Sequence, residues 1–184
     1  TSKYLKAEGK LKNDTIVATV MSNLGLKKYC KENNLKFVQT NVGDRYVLEN
    51  MLENGYNLGG EQSGHIIFLD YNPTGDGILT SLMLTEILLK TKKKASELAS
   101  VITIYPQVLV NAKVSGDKKY SYMEDEVIKA KIEEIEKEFA DSGRVLIRPS
   151  GTEPLVRVMI EGENQEVLDK RAHELADLIE ERLK

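Results

Sequence analysis

The sequence predicts an open α/β unit with helices on both faces of its sheet, followed by a smaller α+β unit with an antiparallel sheet and two helices on one side. Three observations carry this. Strand and helix signals alternate through the first half. The second half orders them β-α-β-β-α. Between the two, residues 91–100 are rich in lysine and change the texture of the chain, so the boundary is expected there, with units 1–95 and 96–184.

Residues 15–20 (TIVATV) are β-branched and read as a buried strand. Asn23 can cap a helix running to about Asn33. Residues 37–40 form a second strand. Residues 43–53 are helical, with Val47, Leu48, Met51 and Leu52 at helical spacing, and Asn54-Gly55 ends them. Short strands at 58–60 and 66–69 flank a glycine-rich loop. Residues 76–90 form a helix apolar on most faces, which is expected to be central. In the second half, residues 104–114 read as a strand in which Pro106 suits an edge or a start. Residues 123–139 form a charged helix with Ile128, Ile132, Ile135 and Phe139 on one face. Strands at 143–147 and 155–160 are joined by a turn. Asn164 caps a last helix whose apolar face is Leu168, Ala172, Leu175 and Ile179.

Composition narrows the function classes. The chain has 184 residues, 41% hydrophobic and 30% charged, an ordinary globular balance. A net charge of −3 draws it to neither nucleic acid nor a membrane surface. The single cysteine, Cys30, excludes a disulfide framework and a cysteine-rich zinc site, and fits a reducing cytoplasm. Residues 1–12 lack the apolar segment of a signal peptide. The apolar-rich run 78–89 is broken by Thr80, Ser81, Thr85 and Glu86, as in a buried helix rather than a membrane span. No Walker loop, His-Glu-x-x-His pattern, EF-hand loop or nucleophile elbow occurs. No metal-binding residues are expected.

The most informative segment is Arg148-Pro149-Ser150-Gly151-Thr152-Glu153-Pro154. It joins two strong strands, and Arg157 follows on a face shared with Leu155 and Met159. An arginine among apolar strand residues wants an anion. A phosphate dianion could accept from Arg148, Arg157, the hydroxyls of Ser150 and Thr152, and the Gly151 N–H. A plain β-turn, with the arginines paired to Glu153 or Glu161, fits the same residues.

The loop Gly59-Gly60-Glu61-Gln62-Ser63-Gly64-His65 lets backbone approach a ligand closely. Glu61 and Ser63 can accept and donate, as vicinal sugar hydroxyls require, and His65 could move a proton at neutral pH. A glycine-rich turn leading into a strand is the competing reading. Before residue 45, Gly43 and Asp44 open a helix, where Asp44 suits an N-cap. Asp76 complements the dipole of its helix, and His173 belongs to a solvated helix face.

The two loops, at 59–65 and 148–159, resemble the sugar-recognition and phosphate-binding loops of the α-D-phosphohexomutases. Within that family, the wording of residues 18–25, Glu-Gln-Ser-Gly-His and Arg-Pro-Ser-Gly-Thr-Glu-Pro resembles the branch acting on glucosamine phosphates. The resemblance covers nearly the whole chain and implies the family's third and fourth domains. The family's serine loop of Ser-His-Asn type and magnesium loop of Asp-x-Asp-x-Asp type belong to its domains I and II, and neither pattern occurs here. The chain is therefore expected to be inactive alone, with magnesium bound outside it and domains I and II as its partners.

The resemblance assigns Glu61 and Ser63 to sugar hydroxyls and His65 to proton transfer at the reacting hydroxyl. It gives Gly43 and Asp44 to a second contact loop, and Arg148, Ser150, Gly151, Thr152 and Arg157 to the non-reacting phosphate. The implied reaction interconverts glucosamine 6-phosphate and glucosamine 1-phosphate through a bisphosphate, supplying cell-wall precursors in the cytoplasm. The alternatives are a non-catalytic sugar-phosphate-binding module, and phosphomannomutase or phosphoglucomutase specificity.

Overall fold

A computed structural model describes residues 1–140 and 142–184. It comprises two compact units, Thr1–Ile104 and Tyr105–Lys184. The first is a mixed α/β sheet with flanking helices, and the second an antiparallel sheet with helices.

In the first unit, β1 (Thr15–Thr19) is buried at every position, as its β-branched composition requires. Strands β2 (Lys36–Thr40) and β3 (Leu58–Gly60) lie parallel to it on either side. Strand β4 (Ile66–Phe68) adds antiparallel to β3, giving the order β2-β1-β3-β4. Alternation along β1 then sorts the helices. Ile16 joins Leu5 of α1 (Ser2–Ala7), Tyr29 and Cys30 of α2 (Leu24–Glu32) and Met83 of α4 (Gly77–Thr91) in one core. Val17 and Ile67 meet Val47 and Met51 of α3 (Asp44–Asn54) in the other. Burial pushes the Cys30 thiol up to about 11, so it is an unreactive core group.

The caps follow local chemistry. Asn23 Oδ1 accepts the Gly25 N–H at 3.0 Å, and Asp76 Oδ1 accepts the Leu79 N–H at 2.9 Å. Asp44 departs from expectation: Gly43 is the cap and Asp44 the first helical residue. The chain turns into α3 through Gly43 at φ 131°, a conformation open to glycine, so the helix begins at Asp44 itself, one position earlier than a cap there would allow.

Helix α4 is not central. It buries Met83 and Ile87, while Ile78, Leu82 and Leu89 are 77%, 62% and 73% exposed. Only one side of this helix meets the layer beneath it, so apolar composition on most faces does not mean burial on most faces. Helices α1 and α5 (Ala95–Ala99) are too short to show a helical period in the sequence. Because α5 belongs to the first unit, the division falls after the lysine-rich stretch, between Ile104 and Tyr105.

The second unit orders its strands β5-β7-β6, all antiparallel: β5 (Gln107–Lys113), β6 (Arg144–Pro149) and β7 (Leu155–Glu161). Strand β5 starts just past Pro106, which has no N–H for the ladder and instead accepts from Gly162. Val108, Ala112, Val156, Val158 and Ile160 form one sheet face, covered by α6 (Glu126–Glu138) and α7 (Gln165–Leu183) through Ile128, Ile135, Leu168, Leu175 and Ile179. Helix α6 begins later than the apolar spacing suggests, because Asp125 caps it by accepting the N–H groups of Val127 and Ile128. The same carboxylate holds Arg182 at 2.7 Å. Asn164 caps α7. Among the described residues, no helix is long and apolar enough to cross a membrane.

Candidate functional site

Two loops concentrate the candidate residues, one in each unit. In the second unit, the β6–β7 ladder sets Arg148 directly opposite Arg157. Strand alternation puts both on the face away from Val156, Val158 and the helices. Directly opposed cross-strand side chains have Cβ atoms about 5 Å apart, and like charges there repel. The Nε atoms of both arginines are buried and have no hydrogen-bond partner. Burial first, and the Arg157 charge second, hold the Arg148 guanidinium below its ordinary value.

The neighbouring carboxylates do not resolve this repulsion. Glu153 meets Arg157 only through Nη2, at 3.4 Å. Glu161 is engaged by Arg144 at 2.6 Å. A plain turn with internally neutralised arginines therefore leaves two buried donors unused, and a multivalent oxyanion is the chemistry that uses them.

The turn between them is pinned from inside and open outside. Ser150 is 2% exposed; its N–H donates to Leu155 O at 2.9 Å, and its Oγ accepts the Glu153 N–H at 3.3 Å. Gly151 and Thr152 are exposed, and a side chain built on Gly151 would meet nothing within 4 Å. Lys119, which the sequence motifs do not include, donates from Nζ to the Ser150 carbonyl at 3.0 Å.

In the first unit, the loop after β3 closes through Glu61 N–H to His65 O at 3.0 Å and Gly64 N–H to Glu61 O at 3.2 Å. This brings three side chains into one cluster. Ser63 Oγ donates to Glu61 Oε1 at 2.5 Å and lies 2.9 Å from His65 Nδ1. Glu61 Oε1 is 3.5 Å from the same nitrogen. Since Ser63 gives its one proton to Glu61, the contact with His65 requires Nδ1–H to donate. Nε2 is then the ring atom able to take or give a proton.

Two residues outside the predicted set brace this loop. Gln62 Oε1 accepts from the buried Thr19 hydroxyl at 3.2 Å, tying the loop to the end of β1. Gly75 lies against His65: a Cβ there would stand 3.0 Å from its Cδ2 and 3.2 Å from its Cβ. Gly43 and Asp44 follow β2, which is parallel to β1 and β3, so their loop and the 61–65 loop leave the same end of the sheet, at the carboxyl ends of the strands. Asp44 Oδ1 is taken up locally by the Arg45 N–H at 2.9 Å.

A cavity of about 380 Å³ borders Glu61 and Gln62, with Ala18, Ser22, Gly60 and Ile102 in its wall. A larger one of about 480 Å³ lies among Tyr4, Tyr29, Leu84, Ile87 and Leu98. It touches neither loop. Among the described residues, no group of three His, Cys, Asp or Glu side chains could hold a metal ion.

Comparison with known proteins follows the same two-unit division. Residues 1–105 match phosphoglucomutase/phosphomannomutase, alpha/beta/alpha domain III, and residues 109–178 match phosphoglucomutase/phosphomannomutase, C-terminal domain. The chain is 62% identical over 179 residues to a phosphoglucosamine mutase of Finegoldia magna, and 63% identical over 179 residues to one of Acetivibrio thermocellus. Each alignment covers 97% of this chain but only 40% of the relative, so the chain spans about 40% of the length of these curated relatives. Among solved structures, an N-acetylphosphoglucosamine mutase of Aspergillus fumigatus shares the fold at TM-score 0.77 and 22% identity, over 98% of this chain and 40% of that one. A further structure of the Aspergillus fumigatus enzyme, in complex with GlcNAc-6P and magnesium, aligns at TM-score 0.75 and 19% identity, over 100% of this chain and 42% of that one.

Proposed function

From the premise that this chain belongs to the phosphoglucomutase/phosphomannomutase family, we propose that it is the substrate-gripping C-terminal part of a phosphoglucosamine mutase. The whole protein would interconvert glucosamine 6-phosphate and glucosamine 1-phosphate through a bisphosphate, in the cytoplasm, for cell-wall precursor synthesis. The observation that carries the reading is the opposed pair Arg148 and Arg157, whose buried Nε donors lack partners.

The division of labour follows from the reaction. Phosphoryl transfer depends chiefly on positioning and charge stabilisation. A hexose bisphosphate that reorients between half-reactions presents two constant features, a distal phosphate and ring hydroxyls. Arg148, Arg157, the Gly151 N–H and the hydroxyls of Ser150 and Thr152 would hold the phosphate. Glu61 and Ser63 would hold the hydroxyls, with Gly43 and Asp44 forming a second contact loop. His65, oriented through Nδ1 by Ser63, would move a proton at Nε2. Magnesium and the phosphoryl-carrying serine would belong to the remainder of the longer protein; among the described residues no group of three His, Cys, Asp or Glu side chains offers the oxygen ligands the ion takes.

The test is conversion of glucosamine 6-phosphate by the full-length protein and by the 184-residue chain. We expect turnover from the first and none from the second. Turnover by the short chain, or a full-length protein that turns over mannose or glucose phosphates and not glucosamine phosphates, would overturn the reading.

Gly75 offers a narrower check. A methyl at Gly75→Ala would press on the His65 ring, which is held on its other side by Ser63. Full-length Gly75→Ala should lose about 10- to 100-fold in turnover with little change in KM, as expected for a misplaced proton carrier. Unchanged kinetics would mean that His65 needs no fixed orientation.

A further inference from the structure

Lys119 lies in the segment after β5, outside every motif, yet its ammonium bonds the phosphate loop 31 residues away. Its acceptor is the carbonyl of Ser150, the most buried residue of that turn. A peptide unit is planar and trans, so its C=O and the following N–H point in opposite directions. Fixing the Ser150 carbonyl on Lys119 therefore fixes the Gly151 N–H on the other side. That N–H has no acceptor among the described residues, and a side chain built on Gly151 would meet nothing within 4 Å.

Charge points the same way. Lys119 forms no ion pair among the described residues; its other recorded neighbour is the Tyr120 ring, 5.4 Å from Nζ. It adds to Arg148 and Arg157, and among the described residues the one carboxylate paired with these arginines is Glu153, through Arg157. Three cations and one carboxylate leave the turn with the charge that a phosphate dianion neutralises.

We infer that Lys119 is a positioning residue of the phosphate site, which holds the Ser150 carbonyl and so aims the Gly151 N–H at the ligand. The inference rests on the reading of residues 148–157 as a phosphate loop, and the test separates the two.

Inorganic phosphate is titrated into the 184-residue chain and its variants, followed by amide chemical shifts. Lys119→Met, which keeps the stem and removes the charge, should weaken binding by about 10- to 150-fold, the range for losing one charge-assisted hydrogen bond, here that of the Gly151 N–H to phosphate. Lys119→Arg should recover most of the affinity, and the thermal midpoint of both should match the parent. If Lys119→Met binds phosphate like the parent while Arg148→Ala does not, Lys119 has no part in the site and the loop reading survives. If Lys119→Met lowers the thermal midpoint and leaves the affinity intact, its role is structural only and the inference falls. If the parent binds no phosphate, or Arg148→Ala binds as well as the parent, the loop reading fails first and the inference with it.

Discussion

Full-length His65→Gln should turn over glucosamine 6-phosphate about 100- to 10,000-fold more slowly, the usual contribution of a general acid–base group. KM should change little. Glutamine keeps a polar group of similar reach beside Ser63, so the loop can close as before, but it cannot exchange a proton. The loop's own bonds argue for this split. Closure runs through the backbone pairs Glu61–His65 and Gly64–Glu61, which the substitution leaves in place. The ring's Nδ1 is engaged by Ser63, leaving Nε2 for chemistry. Steady-state kinetics at saturating substrate decide the matter: an unchanged turnover number would leave His65 as the residue that leads into β4 and nothing more.

Arg148→Ala should weaken binding of phosphosugar by about 10- to 150-fold, because a charge-assisted hydrogen bond contributes about 1.5–3 kcal/mol. Its effect on folding should have the opposite sign. Arg148 faces Arg157 across the ladder with both Nε atoms buried and unpartnered, an arrangement that opposes folding. The thermal midpoint of the variant should therefore hold or rise while affinity falls. Lysine at 148 should recover only part of the binding, since it lacks the planar fork. A variant that loses affinity and unfolds earlier would instead assign Arg148 to the structure of the turn. Calorimetry of binding and of unfolding on the same samples distinguishes these results.

What the sequence made legible was mostly local. Asn23 and Asn164 sit before apolar helical patterns, and a cap needs only its own next few residues. The β6 and β7 strands and their turn were equally readable, because Arg148 to Pro154 is short and punctuated by Pro and Gly. The start of β5 was misplaced by three residues, since a β-rich run continues the pattern on both sides of Pro106.

The parts that could not be read depend on distant partners. Nothing near Gly75 announces that His65 will lie against it, and nothing near Lys119 announces the Ser150 carbonyl. Asp44 was misread as a cap because the unusual conformation belongs to Gly43, which a propensity argument treats as a mere spacer. The outward face of α4 failed for a different reason. Composition records that Ile78, Leu82 and Leu89 are apolar, but only packing says which side of the helix meets the sheet layer. The unit boundary shifted because α5, too short to show a period, joins the first unit rather than the connection.

The central claim is that the β6–β7 loop grips the phosphate end of a phosphosugar. Its most direct test is an amide chemical-shift titration of the 184-residue chain with glucosamine 6-phosphate, run in parallel with unphosphorylated glucosamine. Saturable shifts are expected across residues 148–157 with the phosphorylated sugar and none there with glucosamine. Residues 148–157 that stay still at high glucosamine 6-phosphate, or that respond equally to both sugars, would contradict it.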